Sequence, residues 1–272
     1  MADTWYGTLY ESLSPEQVMG YLKSGYHWMV GKPITIAMTG MQGVGKTVLF
    51  HYLTGKVYEA NYVSPLQSQA MEKGKVTKKP DGEKRRLFFN VIPGQSAAPR
   101  SDAIETVFLS ETPVDVVIHV VSYGHATTRN QGAVQVLLND EGIDTIEKYR
   151  ELQLEAELKD LEETCKAIRD THRKHRKPYH LLVAVDKIDL YHDRLAQARA
   201  YYESDSGSPF VTKLKELMTQ IGTDNISWQV LPVCGHLEDF VWNEQTLHPQ
   251  LNVRQRNQHI YQFLKSLETF CH

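Results

Sequence analysis

A chain of 272 residues, 41% of them hydrophobic, can bury a sizeable core without a disulfide or metal staple. Its net charge of −3 and pI near 6.5 offer no bulk attraction for nucleic acid, and no nucleic-acid partner is expected. The cysteines Cys165, Cys234 and Cys271 are odd in number and widely spaced, which excludes a C-x-x-C pattern and suits a reducing compartment. No basic-then-apolar leader opens the sequence, and no apolar run approaches the ~20 residues of a transmembrane helix. The expectation is a cytoplasmic protein.

Ser14-Pro15-Glu16-Gln17 reads as a helix start, with serine as N-cap, proline at the first helical position and glutamine completing a capping box. Apolar positions at Val18, Met19, Leu22, Tyr26 and Met29 follow at near-helical spacing. Residues 1–32 are therefore expected to form a helical extension packed on a domain spanning 33–272.

That domain opens with Ile34–Thr39, a β-branched apolar run of strand length. Next comes Gly40-Met41-Gln42-Gly43-Val44-Gly45-Lys46-Thr47, which fits G-x-x-x-x-G-K-[ST]. Val48–Leu53 then reads as a helix stopped by Gly55. Strand, loop and helix in this order make a phosphate-binding loop. Its glycines let the backbone turn so that N–H groups converge on an anion at a helix N-terminus. Lys46 would reach the outer phosphates, and the Thr47 hydroxyl would ligate Mg²⁺. A nucleoside phosphate is the expected ligand, cradled by residues Gly40 to Val48.

Residues 55–71 are polar, as in a surface loop. Lys75–Lys79 and Arg85–Ile92 flank Pro80-Asp81-Gly82 and predict a hairpin. Its lysines and arginines fit an edge strand protected from aggregation better than a nucleic-acid patch. Pro93-Gly94-Gln95 ends the second strand, and Ala103–Leu109 reads as a short helix. Asp115–Ser122 predicts a buried parallel strand. A long polar connection runs from Tyr123 to Asp144.

Residues from Thr145 to about Lys177 predict one long charged helix with Leu154, Leu158, Leu161, Cys165 and Ile168 as its apolar stripe. The stripe fits docking on the sheet; a coiled-coil seam is the alternative. His180–Val185 is a further buried strand, followed by Asp186-Lys187-Ile188-Asp189. Helices to about Tyr202 and from Phe210 to Gln220 come next, then the strand Trp228–Val233 and a last helix carrying Ile260, Phe263, Leu264 and Leu267. Strands alternating with helices imply an α/β fold, a mostly parallel sheet with one antiparallel edge strand and helices on both faces.

Asp186-Lys187-Ile188-Asp189, at the carboxyl end of a buried strand, resembles the N/T-K-x-D guanine-recognition motif of the Ras-like and Era-like (TRAFAC) P-loop GTPases. The resemblance implies that the Asp189 carboxylate accepts from guanine N1–H and the exocyclic amine while the Lys187 stem packs on the base. Asp186 stands where asparagine or threonine is usual. Cys234-Gly235, after the last strand, is similar to the family's fifth motif, whose backbone touches the base.

Pro93-Gly94-Gln95 resembles the family's D-x-P-G-Q second switch, which gives Gly94 the γ-phosphate contact and Gln95 the attacking water. The aspartate of that motif, which holds Mg²⁺ through water, is replaced here by Val91. The first switch should supply a threonine; Ser68, or Ser64, falls near its position. The resemblance covers Ile34 to Phe270. It implies a G domain binding GTP or GDP with Mg²⁺, hydrolysing GTP with Gln95 and Lys46, and signalling to a protein effector or regulator. The alternative is a nucleotide-binding interaction module with little or no hydrolysis because of Val91.

Overall fold

The computed structural model describes residues 33–63, 71–78, 85–94 and 98–270. The expected 1–32 helix, the hairpin turn at 80–82, and the candidates Ser64, Ser68 and Gln95 lie outside these residues.

The chain alternates strands and helices. β1 is Ile34–Thr39, α1 Lys46–Thr54, β2 Glu72–Lys78, β3 Arg85–Val91 and α2 Ala98–Phe108. β4 (Val116–Val121), α3 (Gln131–Asn139), α4 (Ile146–His175) and β5 (Tyr179–Val185) follow. α5 (Leu195–Tyr202), α6 (Pro209–Ile221), β6 (Ile226–Pro232), a hairpin of β7 (Phe240–Trp242) and β8 (Gln245–Leu247), and α7 (Val253–Phe270) complete the fold.

The main sheet has the order β2-β3-β1-β4-β5-β6, and only edge strand β2 runs antiparallel. Period-two alternation divides its side chains between two cores. Ile36, Met38, Ile118, Val120, Leu182 and Ala184 face one core with Leu49, Phe50 and Leu53 of α1 and Ile260, Phe263, Leu264 and Leu267 of α7. Ala37, Val117, Val121, Leu181, Val183 and Val185 face the other, against α2, α4, α5 and α6. Each such large side chain, taken out of water, contributes about 1.5–3 kcal/mol. This is an α/β fold with a mostly parallel sheet and helices on both faces, as expected, including the antiparallel edge. No helix among the described residues is long and apolar enough to cross a membrane.

Two features depart from expectation. The first is the face that α4 docks. The helix does lie on the sheet, held at its start by Thr145, whose side chain accepts from the Lys148 N–H. Leu161 and Ile168 of the expected stripe are buried in the core, with Leu154 and Cys165 packed against it, yet the docked face also buries Gln153, Glu157, Asp160, Thr164 and Thr171. The second is the β7–β8 hairpin, where no strand was expected. Trp242 Nε1 donates to the Ile143 carbonyl at 2.8 Å, the Ile146 N–H donates to Gln245 Oε1 at 2.7 Å, and the Trp242 ring lies 3.9 Å from that of Tyr149. The hairpin thus anchors on the beginning of α4.

Candidate functional site

A crevice opens at the carboxyl ends of the parallel strands, where ligands of open α/β sheets bind. Gln42, Gly43, Gly45, Lys46, Thr47 and Val48 line one end, with Val91, Pro93 and Gly94 beside them. Asp186, Lys187 and Asp189 line the other, with Thr127, His236, Glu238 and Phe240. Strands β1 and β5 therefore bring the two sequence motifs, well over a hundred residues apart, into one cleft.

At the phosphate end the loop needs its glycines. Gly40, Gly43 and Gly45 have φ of 130°, 80° and 106°, left-handed values that favour glycine. A Cβ on Gly43 would strike the Thr127 carbonyl, and one on Gly45 would strike the Asp186 carboxylate. The loop is also stitched to its neighbour, since the Thr127 N–H donates to the Gly43 carbonyl at 3.1 Å. Lys46 is buried, and its Nζ donates to the carbonyls of Gly40 and Met41 at 2.7 and 2.8 Å. Burial brings its pKa down to about 8, helped by the Arg100 cation and opposed by Asp160. Val44 is wholly buried in the α1/α7 core, so its side chain shapes the loop from behind.

The Gln42 N–H donates to the Gly94 carbonyl at 3.0 Å, placing the second-switch candidate directly on the phosphate loop. Val91 is 2% exposed and belongs to the α1/α7 core, with Met38 its register partner on β1. Among the described residues no three His, Cys, Asp or Glu side chains gather as a metal cluster. Among the described residues at this end Thr47 carries the hydroxyl and no carboxylate stands at position 91, so these side chains do not fit a protein-held Mg²⁺ site. Asp115 cannot substitute. It precedes β4 at the opposite end of the strands, accepting from the Thr35 N–H at 2.7 Å and pairing with Lys177.

At the base end Asp186 acts as a joint. Its Oδ1 accepts the Lys187 N–H at 2.7 Å and the Gly235 N–H at 2.8 Å. Burial raises its pKa, against the pull of those two donors. Both donors need only an acceptor, so aspartate serves where asparagine is usual, at the cost of a buried charge beside the phosphate loop. Asp186→Asn should keep both bonds, leave the unfolding free energy unchanged or raised by about 1–2 kcal/mol, and tighten nucleotide binding. Denaturant titration together with a binding isotherm checks this; a weaker affinity than wild type would contradict it.

Lys187 adopts a left-handed φ of 59°, and its Nζ donates to the His125 carbonyl at 2.8 Å and Thr127 Oγ1 at 2.6 Å. The same Nζ lies 5.8 Å from the Phe240 ring centroid. Asp189 is 1% exposed; its Oδ1 accepts from Cys234 Sγ at 3.2 Å, while Oδ2 has no partner among the described residues. Burial pushes its pKa up. Cys234 is itself fully buried and holds the Asp189 carboxylate from behind, and the Gly235 N–H is committed to Asp186. These two residues therefore brace the site.

Sequence reasoning missed Thr127 and Arg129 from the β4–α3 connection and His236, Glu238, Asp239 and Phe240 from the hairpin segment, all of which line the crevice. It also missed Arg100, which is 3% exposed beneath the phosphate loop. The length of the Tyr123–Asp144 connection was the one available signal for the first pair.

No protein-family profile matches the chain, and no curated protein matches it. Solved structures similar to it include Roco2 RocCORdC of Methanosarcina barkeri bound to GDP, at 17% identity and TM-score 0.42, covering 95% of this chain and 52% of that one. A bacterial selenocysteine-specific elongation factor is similar at 17% identity and TM-score 0.44, covering 89% of this chain and 29% of that one. An ADP-ribosylation-factor-like GTP-binding protein (small COPII coat GTPase) of Encephalitozoon cuniculi with GDP is similar at 13% identity and TM-score 0.42, covering 94% and 87%. The chain thus spans about half the length of the first and under a third of the second.

Proposed function

We propose that this domain binds guanine nucleotides, GTP and GDP, in the crevice between the phosphate loop and the Asp186–Asp189 turn. One observation carries the reading. The Asp189 carboxylate is buried at the base end with Oδ2 unpartnered. A buried acceptor without a donor costs about 1–3 kcal/mol. Guanine, whose N1–H and exocyclic amine are adjacent donors, would satisfy it; adenine offers no such pair. Lys46 is poised for the outer phosphates, which would draw its Nζ from the carbonyls it now holds.

Chemistry on the nucleotide is a further part of the proposal. Hydrolysis of GTP, with Gln95 orienting water, is expected to be slow because Val91 leaves a nucleotide-borne Mg²⁺ with Thr47 as its protein contact. The domain then serves chiefly as a switch or binding module read by a protein effector or regulator. Competition of ATP and GTP for the site, in wild type and Asp189→Ala, tests the reading. GTP should win by about a hundredfold or more in wild type, and the variant should lose most of that margin. Equal affinity for both nucleotides in wild type would end the guanine assignment. Single-turnover assays with Gln95→Ala beside wild type measure the hydrolytic part.

A further inference from the structure

Behind the phosphate loop lies a buried ion cluster that nucleotide contact does not require. Arg100, in the first turn of α2, donates through Nη1 to the Pro93 carbonyl at 2.8 Å and the Gly40 carbonyl at 3.3 Å. Its Nη2 donates to Asp160 Oδ1 at 2.5 Å and its Nε to Glu163 Oε2 at 2.8 Å, both on α4. One planar fork therefore joins the first glycine of the phosphate loop, the residue before Gly94, and the middle of α4. A guanidinium presents donors in fixed, diverging directions, which an ammonium cannot reproduce.

The other side of the same junction is equally tight. The Gln42 N–H holds the Gly94 carbonyl at 3.0 Å, and a Cβ on Gly94 would lie 2.6 Å from Lys46 Nζ. Gly94 is thus fixed from the front by Gln42 and, through Pro93, from behind by Arg100. A cation buried this deep is compensated by the two carboxylates, of which Asp160 is 7% exposed, together with the two carbonyls. The cluster continues into the sheet. Asp160 Oδ2 lies 3.9 Å from His119 Nδ1, which in turn meets Thr39 Oγ1 at 2.9 Å on β1 and Thr164 Oγ1 at 3.3 Å on α4.

We propose that Arg100 is a positioning residue for recognition of the terminal phosphate: it fixes Gly94 against the phosphate loop, so that a nucleotide with a third phosphate is distinguished from one with two. The inference rests on the guanine-nucleotide reading above. Arg100 touches neither nucleotide nor phosphate; it acts through the carbonyls of Gly40 and Pro93.

The test compares affinities of GDP and a non-hydrolysable GTP analogue for the full chain. Arg100→Met alone would strand the Asp160 charge, so it is paired with Asp160→Leu, which removes both charges and keeps apolar volume. In this double variant the ratio of GTP-analogue to GDP affinity should fall at least tenfold, with GDP affinity within threefold of wild type. Arg100→Lys keeps the charge but not the fork, and should lower the ratio similarly. Glu163→Gln, at a half-exposed position that can still accept from Nε, should leave the ratio unchanged. Thermal unfolding confirms that each variant is folded. An unchanged ratio in the folded double variant and in Arg100→Lys would overturn the proposal, as would equal losses for both nucleotides. Failure of the wild type to bind either nucleotide would instead remove the guanine reading, and this inference with it.

Discussion

Glu157→Ala should destabilise the domain by about 3–5 kcal/mol, a large share of the roughly 5–15 kcal/mol that holds a native protein folded. Glu157 is 1% exposed on the docked face of α4. Its Oε1 accepts from the Ser122 N–H at 2.8 Å, Ser122 Oγ at 3.0 Å and the Gly124 N–H at 3.2 Å, while Oε2 accepts from the Tyr202 hydroxyl at 2.7 Å. Alanine would leave four donors in a dry interior, each costing about 1–3 kcal/mol unless water enters. Burial pushes the carboxyl pKa upward, against the pull of the Tyr202, Ser122 and Gly124 donors, which favour the carboxylate. Glu157→Gln should cost less, about 1–3 kcal/mol, since its carbonyl can take the three Oε1 donors while the Tyr202 hydroxyl loses its acceptor. Urea unfolding with unchanged m-values measures both; an alanine variant within 1 kcal/mol of wild type would refute the assignment.

The second large effect concerns Lys46. Lys46→Met should weaken nucleotide binding about a hundredfold to a thousandfold at pH 7, on the scale of 2–5 kcal/mol for truncating a hydrogen-bonded buried charge. The pH dependence should be distinctive. In the free protein burial brings the ammonium down to about 8, whereas bound phosphate anions would raise it again. The bound-form pKa then exceeds the free-form pKa, so binding takes up a proton above pH 8. Affinity should be nearly flat from pH 7 to 8 and fall toward tenfold per unit above it. Isothermal titration between pH 7 and 9 reads this slope, which should vanish in Lys46→Met. A slope that survives in the variant would assign the proton to another group.

The phosphate loop was legible in the sequence because its requirements are local: glycines where a side chain would strike Thr127 or Asp186, then lysine and threonine at a helix start. The central strands were legible for the same reason, as apolar β-branched runs. The docked face of α4 was not. Periodicity detects apolar burial, and here Glu157, Asp160, Thr164 and Thr171 are buried by partners on β4 and the turn after it, α2 and α5 that only the tertiary fold supplies. Asp186 looked like a departure from its motif. The structure shows that two backbone donors ask only for an acceptor, a fact of geometry invisible in one dimension. The β7–β8 hairpin was hidden because its strands are three residues each and its turn, at Asn243 with φ 51°, lacks the usual Asn-Gly signal.

Helix α4 gives the crevice a common mechanical floor. Thirty residues at about 1.5 Å each make a rod of roughly 45 Å. Along it Tyr149 holds the Ala126 carbonyl at 2.7 Å, Glu157 the Ser122–Gly124 turn, Asp160 the Arg100 fork, and Thr171 the Phe108 carbonyl at 2.8 Å. Loops that would otherwise open one by one are fastened to the same cooperative unit. Their individual opening free energies are therefore tied together. The turn at Ser122–Gly124 and the Arg100 fork are expected to lose hydrogen-exchange protection together, through one helix.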